Sequence, residues 1–422
     1  MSTRMRIDLR EPTHDPRHVL GVHVSAECRR VRAAPLAAIG NGLHMNLRVG
    51  RPVSLELPDL AVELKIQLDG QGRLSGSDPF AILTRLRSVL TEHVAIAAQE
   101  AAVKNGRVLG EMLAIGVTES GKTIATDDGR RSHLDLVDSA LLADMSGVNV
   151  VSGFPARDIA SGGRGEPLEP LPLWILFRSV HCDRIFVHVG RVVRLVRLPR
   201  LTGSLSSVSG LGYRPCHGTS LVDLLVSELT KGRRRFDAGG RLAVQGRRVD
   251  ELVRHWLDLS ETLEPPDAHA APAMLRSAVS LAVQERWSVH DMLCSATHFV
   301  AESTARGIER LAGTSGHTEV ILSGGALANG LILRDLSARL SDYPLHRIEQ
   351  LGGNSDVVAG AVAATLALLH FDQVPANVAG LTGAETPRVL GNLTSGGPQA
   401  WQRLLASCVS AGHSIRPLRA AL

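Results

Sequence analysis

Phenylalanine, tryptophan and tyrosine together make up only 3% of the 422 residues, too few for the aromatic platforms on which single-stranded nucleic acid stacks. Lysine occurs only at Lys65, Lys104, Lys122 and Lys231, so nearly all positive charge is arginine. The net charge is a modest +4 and the arginines are interleaved with acids, which argues against a nucleic-acid-binding face. Five cysteines (Cys28, Cys182, Cys216, Cys294, Cys408) form no CxxC pair. An odd, dispersed set argues against a disulfide framework or a structural zinc site, and for a reducing compartment. The opening MSTRMRIDLREPTHDP has no apolar segment of the secretory kind. The longest apolar run, Val357 to Leu369, contains Gly360 and is too short to cross a bilayer. These absences predict a cytoplasmic protein with neither nucleic acid nor membrane as partner.

What is present is a globular composition, 44% hydrophobic and 21% charged, on a chain long enough for two lobes. Residues 1–17 read as a loose leader. HVLGVHVSAE from His18 predicts a strand, and LAVELKIQL (Leu60 to Leu68) alternates as another, with Asp69–Gly70 as its turn. Ser77–Asp78–Pro79 opens a long helical stretch that Gly106 stops. MLAIGV and VNVVSGF predict buried strands flanking a helical LDLVDSALLADM, and RIFVHVGRVVRLVRL predicts a strand pair. The pattern is helical for about 90 residues past Thr219. EVILSGGALANGLILRDLSARL then reads strand–turn–helix, followed by a helix in SDVVAGAVAATLALLH and another in PQAWQRLLASCVSAGH. No fixed-period repeat is evident. Mixed strands and helices in both halves predict an α/β protein.

Three glycine-containing strings are candidates for chemistry. Gly116-Val-Thr-Glu-Ser-Gly121-Lys122-Thr123 satisfies the phosphate-binding pattern GxxxxGK[ST] after a predicted strand. That geometry needs a helix starting at the lysine, whereas TIATDDGRR carries β-branched residues and then a hairpin-like turn, so a strand–loop–strand is the competing reading. Asp158-Ile-Ala-Ser-Gly162-Gly163-Arg164-Gly165 is a loop whose glycines allow close approach of a ligand or serve a turn. Ser323-Gly324-Gly325-Ala326-Leu327-Ala328-Asn329-Gly330, between strand and helix, exposes N–H groups that favour an anion or nucleotide.

Together these strings resemble the anhydro-N-acetylmuramic acid kinase family. VVSGFPARDIASGGRGEPLEP (Val150 to Pro170) is similar to the family's "VVxDFRxxDIAxGGQGAPLVP". VPANVAGLTGAETPRVLG (Val374 to Gly391) is similar to "LPxNLPSVTGAxxxxVLG", and LSGGALANGLIL to "CGGGxxNPxLM". The resemblance spans roughly residues 18–395 and implies the two-lobed actin-like ATPase/sugar-kinase (ribonuclease H-like) fold with a cleft between lobes. The lobes would be residues 18–170 and 171–395, with a helical extension over 396–422. The family reaction is phosphorylation of the sugar 6-hydroxyl by ATP while water opens the 1,6-anhydro ring, in peptidoglycan recycling. ATP, magnesium and a homodimer are what the resemblance implies for cofactors and partners.

Residue by residue, it implies substrate contacts at Asp158, Gly162, Gly163, Arg164, Gly165 and Asp237. Nucleotide contacts fall on Gly190, Gly218, Gly324, Gly325, Asn329 and Asp356; Asp356 also suits a helix cap. The metal ligands are left unassigned. Where the family opens with "GxMSGTSxDGVD", this chain puts Arg29 and Arg32 at the two aspartates. Its "HGQT" loop falls near Thr118–Gly121 without histidine, and "NIGGIANL" becomes His188-Val-Gly190-Arg191-Val-Val-Arg194-Leu195. In "GYDTGPGN" the catalytic aspartate is replaced by Arg214, with His217 (or Glu27) as conceivable substitute base. A missing general base costs about 10²–10⁴ in rate. The expectation is therefore a kinase-like protein of impaired catalysis, or a non-catalytic sugar- or nucleotide-binding pseudokinase.

Overall fold

The computed structural model describes residues 16–70, 78–119, 121–127, 129–202, 210–263, 270–313, 317–351, 353 and 355–410. The leader up to residue 15, Ser120 of the GxxxxGK[ST] string and the chain beyond residue 410 lie outside the described residues. In chain order the strands are β1 (Arg17–Val24), β2 (Arg30–Ile39), β3 (Asn46–Val49), β4 (Val53–Glu56), β5 (Ala114–Glu119), β6 (Lys122–Ala125) and β7 (Arg131–Leu134). They continue with β8 (Val150–Ser152), β9 (Asp183–His188), β10 (Val192–Leu198), β11 (Gly212–His217), β12 (Thr318–Ser323), β13 (Leu345–Arg347) and β14 (Asn392–Thr394).

Two compact units carry these strands: Met1–Leu176 with Asp356–Leu422, and Phe177–Ser355. In the first, the sheet order is β14-β8-β5-β1-β2-β3, with β4 also on β2. β1 runs antiparallel to β2 and parallel to β5, and β5 runs parallel to β8. In the second, the order is β11-β10-β9-β12-β13, with β10 antiparallel to both neighbours and β12 parallel to β9 and β13. Numbered within each unit, both cores read 3-2-1-4-5 with the second strand reversed. This is the duplicated ribonuclease H-like architecture of actin-like ATPases and sugar kinases. The duplication is topological; the two halves share no repeat in sequence.

The unit boundaries differ from the expected lobes, because the chain after residue 355 returns to the first unit. The Ser355–Phe371 helix packs backbone against backbone on β1 and β5. A Cβ on Gly21 would stand 1.8 Å from the Gly360 carbonyl oxygen, and one on Gly116 would stand 2.3 Å from that of Ala363. Only glycine admits such contact. β14 then pairs with β8, closing that edge of the sheet.

A second correction concerns Leu60–Leu68. The segment is a helix, Asp59–Leu68, whose Ala61, Val62, Leu64 and Lys65 are buried. The same letters satisfy a period of two and of 3.6. Pro58 before the first turn and packing on the long Pro79–Lys104 helix decide for the helix. That long helix begins as expected, with the Asp78 carboxylate accepting the Phe80 N–H at 3.0 Å.

In the second unit, the Val289–Ala312 helix starts with a capping box: Ser288 Oγ accepts the Asp291 N–H and Asp291 Oδ2 accepts the Ser288 N–H, both at 3.1 Å. Its apolar face, with Phe299 and Ile308, meets Trp256 and the sheet residues Ile185, Val187 and Leu195 in one buried cluster. Among the described residues, no helix is long and apolar enough to cross a membrane.

The glycine packing yields a direct test. Gly21→Ala should destabilise the fold by about 3 kcal/mol or more, because the new methyl meets backbone that cannot rotate away. Gly110→Ala, with nothing within 4 Å of the added carbon, should stay within about 0.5 kcal/mol. Urea unfolding midpoints of the two variants measure both.

Candidate functional site

In the first unit, Asp158 is completely buried in the short Phe154–Ile159 helix. Its Oδ1 accepts from Asn377 Nδ2 at 2.7 Å and from Thr382 Oγ1 at 2.8 Å, while Oδ2 accepts the Gly165 N–H at 2.8 Å. Gly162 and Gly165 adopt φ of 86° and 82°, and a Cβ on Gly163 would fall 2.1 Å from the carboxylate. The Arg164 N–H donates to the Thr382 carbonyl at 3.0 Å and its guanidinium to that of Leu381 at 2.8 Å. The Gly-rich loop is thus laced to residues 377–385. Asp158 spends both oxygens on that clasp. Asn377 and Thr382 were not among the predicted site residues, although both stand in the VPANVAGLTGAETPRVLG string that is similar to the family's.

Of the string Gly116–Thr123, Gly116–Glu119 ends β5 and Lys122–Thr123 begins β6. Lys122 opens β6, which pairs with β7, so no helix starts there. Lys122 Nζ lies 3.1 Å from Asp69 Oδ1. Gly121, at φ 52°, leaves room for the His133 ring. Just before it, Glu119 Oε1 accepts the Val137 N–H at 2.7 Å, whereas Oε2 is buried without a hydrogen-bond partner. Burial, with a smaller push from Asp135, raises this carboxyl to about 7.

Arg32 pairs opposite His23 in the β1–β2 ladder, and its Nε donates to Asp356 Oδ1 at 2.5 Å. Asp356 sits in the first turn of the Ser355–Phe371 helix, where the helix dipole favours an acid. Arg29 Nε lies 3.2 Å from Glu27 Oε2. With side chains 22% and 36% exposed, the Arg32–Asp356 pair contributes about 0–1 kcal/mol to stability; its weight lies in local charge. Magnesium takes free, hard oxygen ligands. Two guanidinium groups and a carboxylate already engaged by one of them do not fit it.

In the second unit, the remaining predicted residues gather where parallel β9 and β12 end, the end at which open α/β sheets bind ligands. The Val189 N–H donates to the Ser323 carbonyl at 2.7 Å, and the Val189 carbonyl accepts the Ala326 N–H at 3.2 Å. Gly324, at φ 111°, has no space for a Cβ, which would stand 2.2 Å from the Val189 oxygen. Gly218 lies equally close on Gly190, whose carbonyl accepts the Thr219 N–H at 2.9 Å. Gly325 alone of these faces open space within 4 Å.

Asn329 Oδ1 accepts the Leu331 N–H at 3.1 Å, capping the Gly330–Arg339 helix, and abuts Gly240. Asp237, placed by resemblance on the sugar side, is buried in the adjoining turn, where its two oxygens accept the Leu242 and Ala243 N–H groups at 2.9 Å. The structure therefore brings Gly190, Gly218, Gly324, Gly325, Asn329 and Asp237 together at one sheet end.

Arg214 lies in β11 opposite Leu195 of β10, and its Nε is buried with no hydrogen-bond partner. The His217 ring is buried too, with Nε2 donating to the Leu263 carbonyl at 2.5 Å; burial lowers its affinity for a proton. Elsewhere in this unit, Cys182, His317 and Glu319 place ligand atoms within 4.8 Å of one another. Arg184 Nε donates to Glu319 at 2.9 Å and so sets a cation where a metal would go.

Two outcomes follow from these environments. Asp158→Ala leaves three donors without their acceptor, at roughly 1–3 kcal/mol for each buried group. The variant should lose several kcal/mol in urea unfolding, whatever its effect on ligands. Glu119 is protonated in folded and unfolded chains below its ordinary 4.5, and above that the unfolded chain ionises first. Its contribution to stability is therefore lost as pH rises from 4.5 to about 7. Glu119→Gln should gain on the wild type across that window, measured by denaturant unfolding at both ends.

The protein-family model for anhydro-N-acetylmuramic acid kinase matches residues 73–396. Among curated relatives, the anhydro-N-acetylmuramic acid kinase of Acaryochloris marina is 30% identical over 260 residues, 60% of this chain and 68% of its own length. That of Parasynechococcus marenigrum is 29% identical over 331 residues, 76% of this chain and 85% of its own. Among solved structures, component A of the Acidaminococcus fermentans (R)-2-hydroxyglutaryl-CoA dehydratase has a TM-score of 0.40 at 11% identity, covering 83% of this chain and 99% of its own. A ROK family glucokinase from Streptomyces griseus, in complex with glucose and AMPPNP, has a TM-score of 0.32 at 14% identity, covering 83% and 98%. At those scores the structural likeness carries no weight here. The family match spans well over half the residues, and on it the chain belongs to the anhydro-N-acetylmuramic acid kinase family.

Proposed function

We propose that this member has kept the family scaffold and a nucleotide-facing sheet end but is impaired in magnesium-dependent phosphoryl transfer, and that its retained activity is ligand binding. The observation that carries this reading is the Arg32–Asp356 ion pair. An arginine at a family aspartate has captured the acid retained on the neighbouring helix, so a charge arrangement suited to a cation has become one that repels it. Arg214 at the position of the family's catalytic base supports the same reading, since a guanidinium does not accept a proton at neutral pH.

His217 is a poor replacement base, because its Nε2 is committed to a backbone carbonyl. The P-loop alternative is not favoured, because Lys122 begins a strand and not a helix. ATP and a 1,6-anhydro-amino sugar are the ligands that the family implies. Five unpaired cysteines, four of them buried, support a reducing cytoplasmic setting.

The test is calorimetric titration with ATP, with and without magnesium, followed by ADP release on adding 1,6-anhydro-N-acetylmuramic acid. Nucleotide affinity should be indifferent to magnesium, and turnover should fall at least about 10²-fold below ordinary kinase rates of 1–100 s⁻¹. Magnesium-dependent turnover in that ordinary range would refute the proposal. Restoring the acids in Arg32→Asp and Arg214→Asp together should raise magnesium-dependent ATP binding above that of the wild type.

A further inference from the structure

A cavity of about 220 Å³ lies wholly within the second unit, between β11 and the helices Asp250–Ser260 and Val289–Ala312. Three guanidinium groups line it: Arg214 from the strand, and Arg306 and Arg310 one turn apart on the longer helix. Among the described residues, the one carboxylate on its wall is Glu261, which accepts from Arg310 at 2.8 Å. Arg306 donates to Glu302 at 2.9 Å, but Glu302 is shared with Arg248 at 3.3 Å and Arg339 at 3.0 Å. Arg214 keeps a buried Nε with no hydrogen-bond partner.

The other titratable groups on the wall do not offset this charge. Burial pushes the Cys216 thiol up to about 11 and lowers His217, so both are neutral near pH 7. Among the described residues the wall thus carries three positive charges against one negative. Gly307 shapes the floor, because a Cβ there would stand 2.7 Å from Cys216 Sγ and 3.9 Å from Arg214 Cδ. The Ser260 hydroxyl on the wall is already spent, donating to the Leu257 carbonyl at 2.6 Å, and that of Ser303 meets the Cys216 thiol.

We infer that this cavity is a binding site for a phosphate-class oxyanion, either inorganic phosphate or the phosphate of a small monoester. A surplus of two positive charges matches a dianion better than a carboxylate, and arginine forks grip phosphate oxygens in pairs. The volume falls below the roughly 300 Å³ at which drug-sized pockets begin, so a nucleotide does not fit. An anion would satisfy the orphaned Nε, whose burial is otherwise an uncompensated cost. The site concerns affinity for an oxyanion in the absence of ATP, so it stands or falls apart from the loss of turnover.

The experiment is calorimetric titration of the full chain with inorganic phosphate at fixed ionic strength, in parallel with sulfate, glucose 6-phosphate and acetate. Saturable binding of phosphate or glucose 6-phosphate, at least tenfold weaker in Arg214→Met, is expected. Tighter glucose 6-phosphate would identify a monoester site, and tighter inorganic phosphate a free-phosphate site. Arg306→Met, altering a half-exposed side chain, should weaken binding as well and serves if Arg214→Met does not fold. Arg48→Met, exposed on β3, should bind as the wild type does. No saturable binding by the wild type, acetate binding as tightly as phosphate, or unchanged affinity in Arg214→Met (in Arg306→Met, should that variant not fold) would overturn the inference.

Discussion

The Ser355–Phe371 helix can lie on the first sheet only because β1 and β5 present glycine where it crosses. With a carbonyl oxygen 1.8 Å from where a Gly21 Cβ would be, and another 2.3 Å from that of Gly116, the two layers touch through their backbones. Protein interiors tolerate almost no such overlap, so the crossing point is fixed. Three other features depend on it. The chain after residue 355 belongs to the first unit. Asp356, in the helix's first turn, comes within 2.5 Å of Arg32. Gly116, which in the sequence appears to start a phosphate loop, is instead a packing glycine.

Once the helix is placed, the chemistry of the first unit turns on which charges meet its N-terminal turn. An acid on β2 would stand beside Asp356 as a like charge, an arrangement that a divalent cation relieves. Arginine relieves it internally. The pair adds little to stability, but it spends the carboxylate and leaves no deficit of positive charge for a metal to fill. The second unit shows the same inversion at Arg214. There, among the described residues, the arginines on the cavity wall exceed the acids, so the local field favours anions. The proposed loss of a metal-binding arrangement and the inferred oxyanion site would then be two readings of one change of sign.

Much of the architecture was legible in the sequence because hydrophobic period and punctuation agree along most of the chain. Asp78–Pro79 before a helical run, and glycines after it, mark an element whatever surrounds it. Leu60–Leu68 was misread because its letters fit both periods, and only packing on the Pro79–Lys104 helix chose between them. The compact units depart from the expected lobes for a different reason. Nothing local to Val357–Leu369 announces which sheet it covers; that follows from Gly21 and Gly116, more than 200 residues earlier. At the site, the glycines gathered by the second sheet were legible as a resemblance. Asp158's partners were not, because Asn377 and Thr382 come from 219 and 224 residues away.

The pattern of what this chain keeps has a physical explanation. Asp158 is buried and serves three donors, so its loss would cost several kcal/mol of a total stability of about 5–15 kcal/mol. Gly163, 2.1 Å short of room for a side chain, is held by the same clasp. These residues tie the Gly-rich loop to residues 377–385, the two segments through which kinship is most visible. Positions whose role was to abstract a proton or neutralise a phosphate are under no such constraint. Arg32 costs the fold little, because its charge is met by the Asp356 carboxylate. On the proposed reading, a chain released from turnover sheds its acids first and its clasp last, so its strongest family motifs report the fold it must keep more than a reaction.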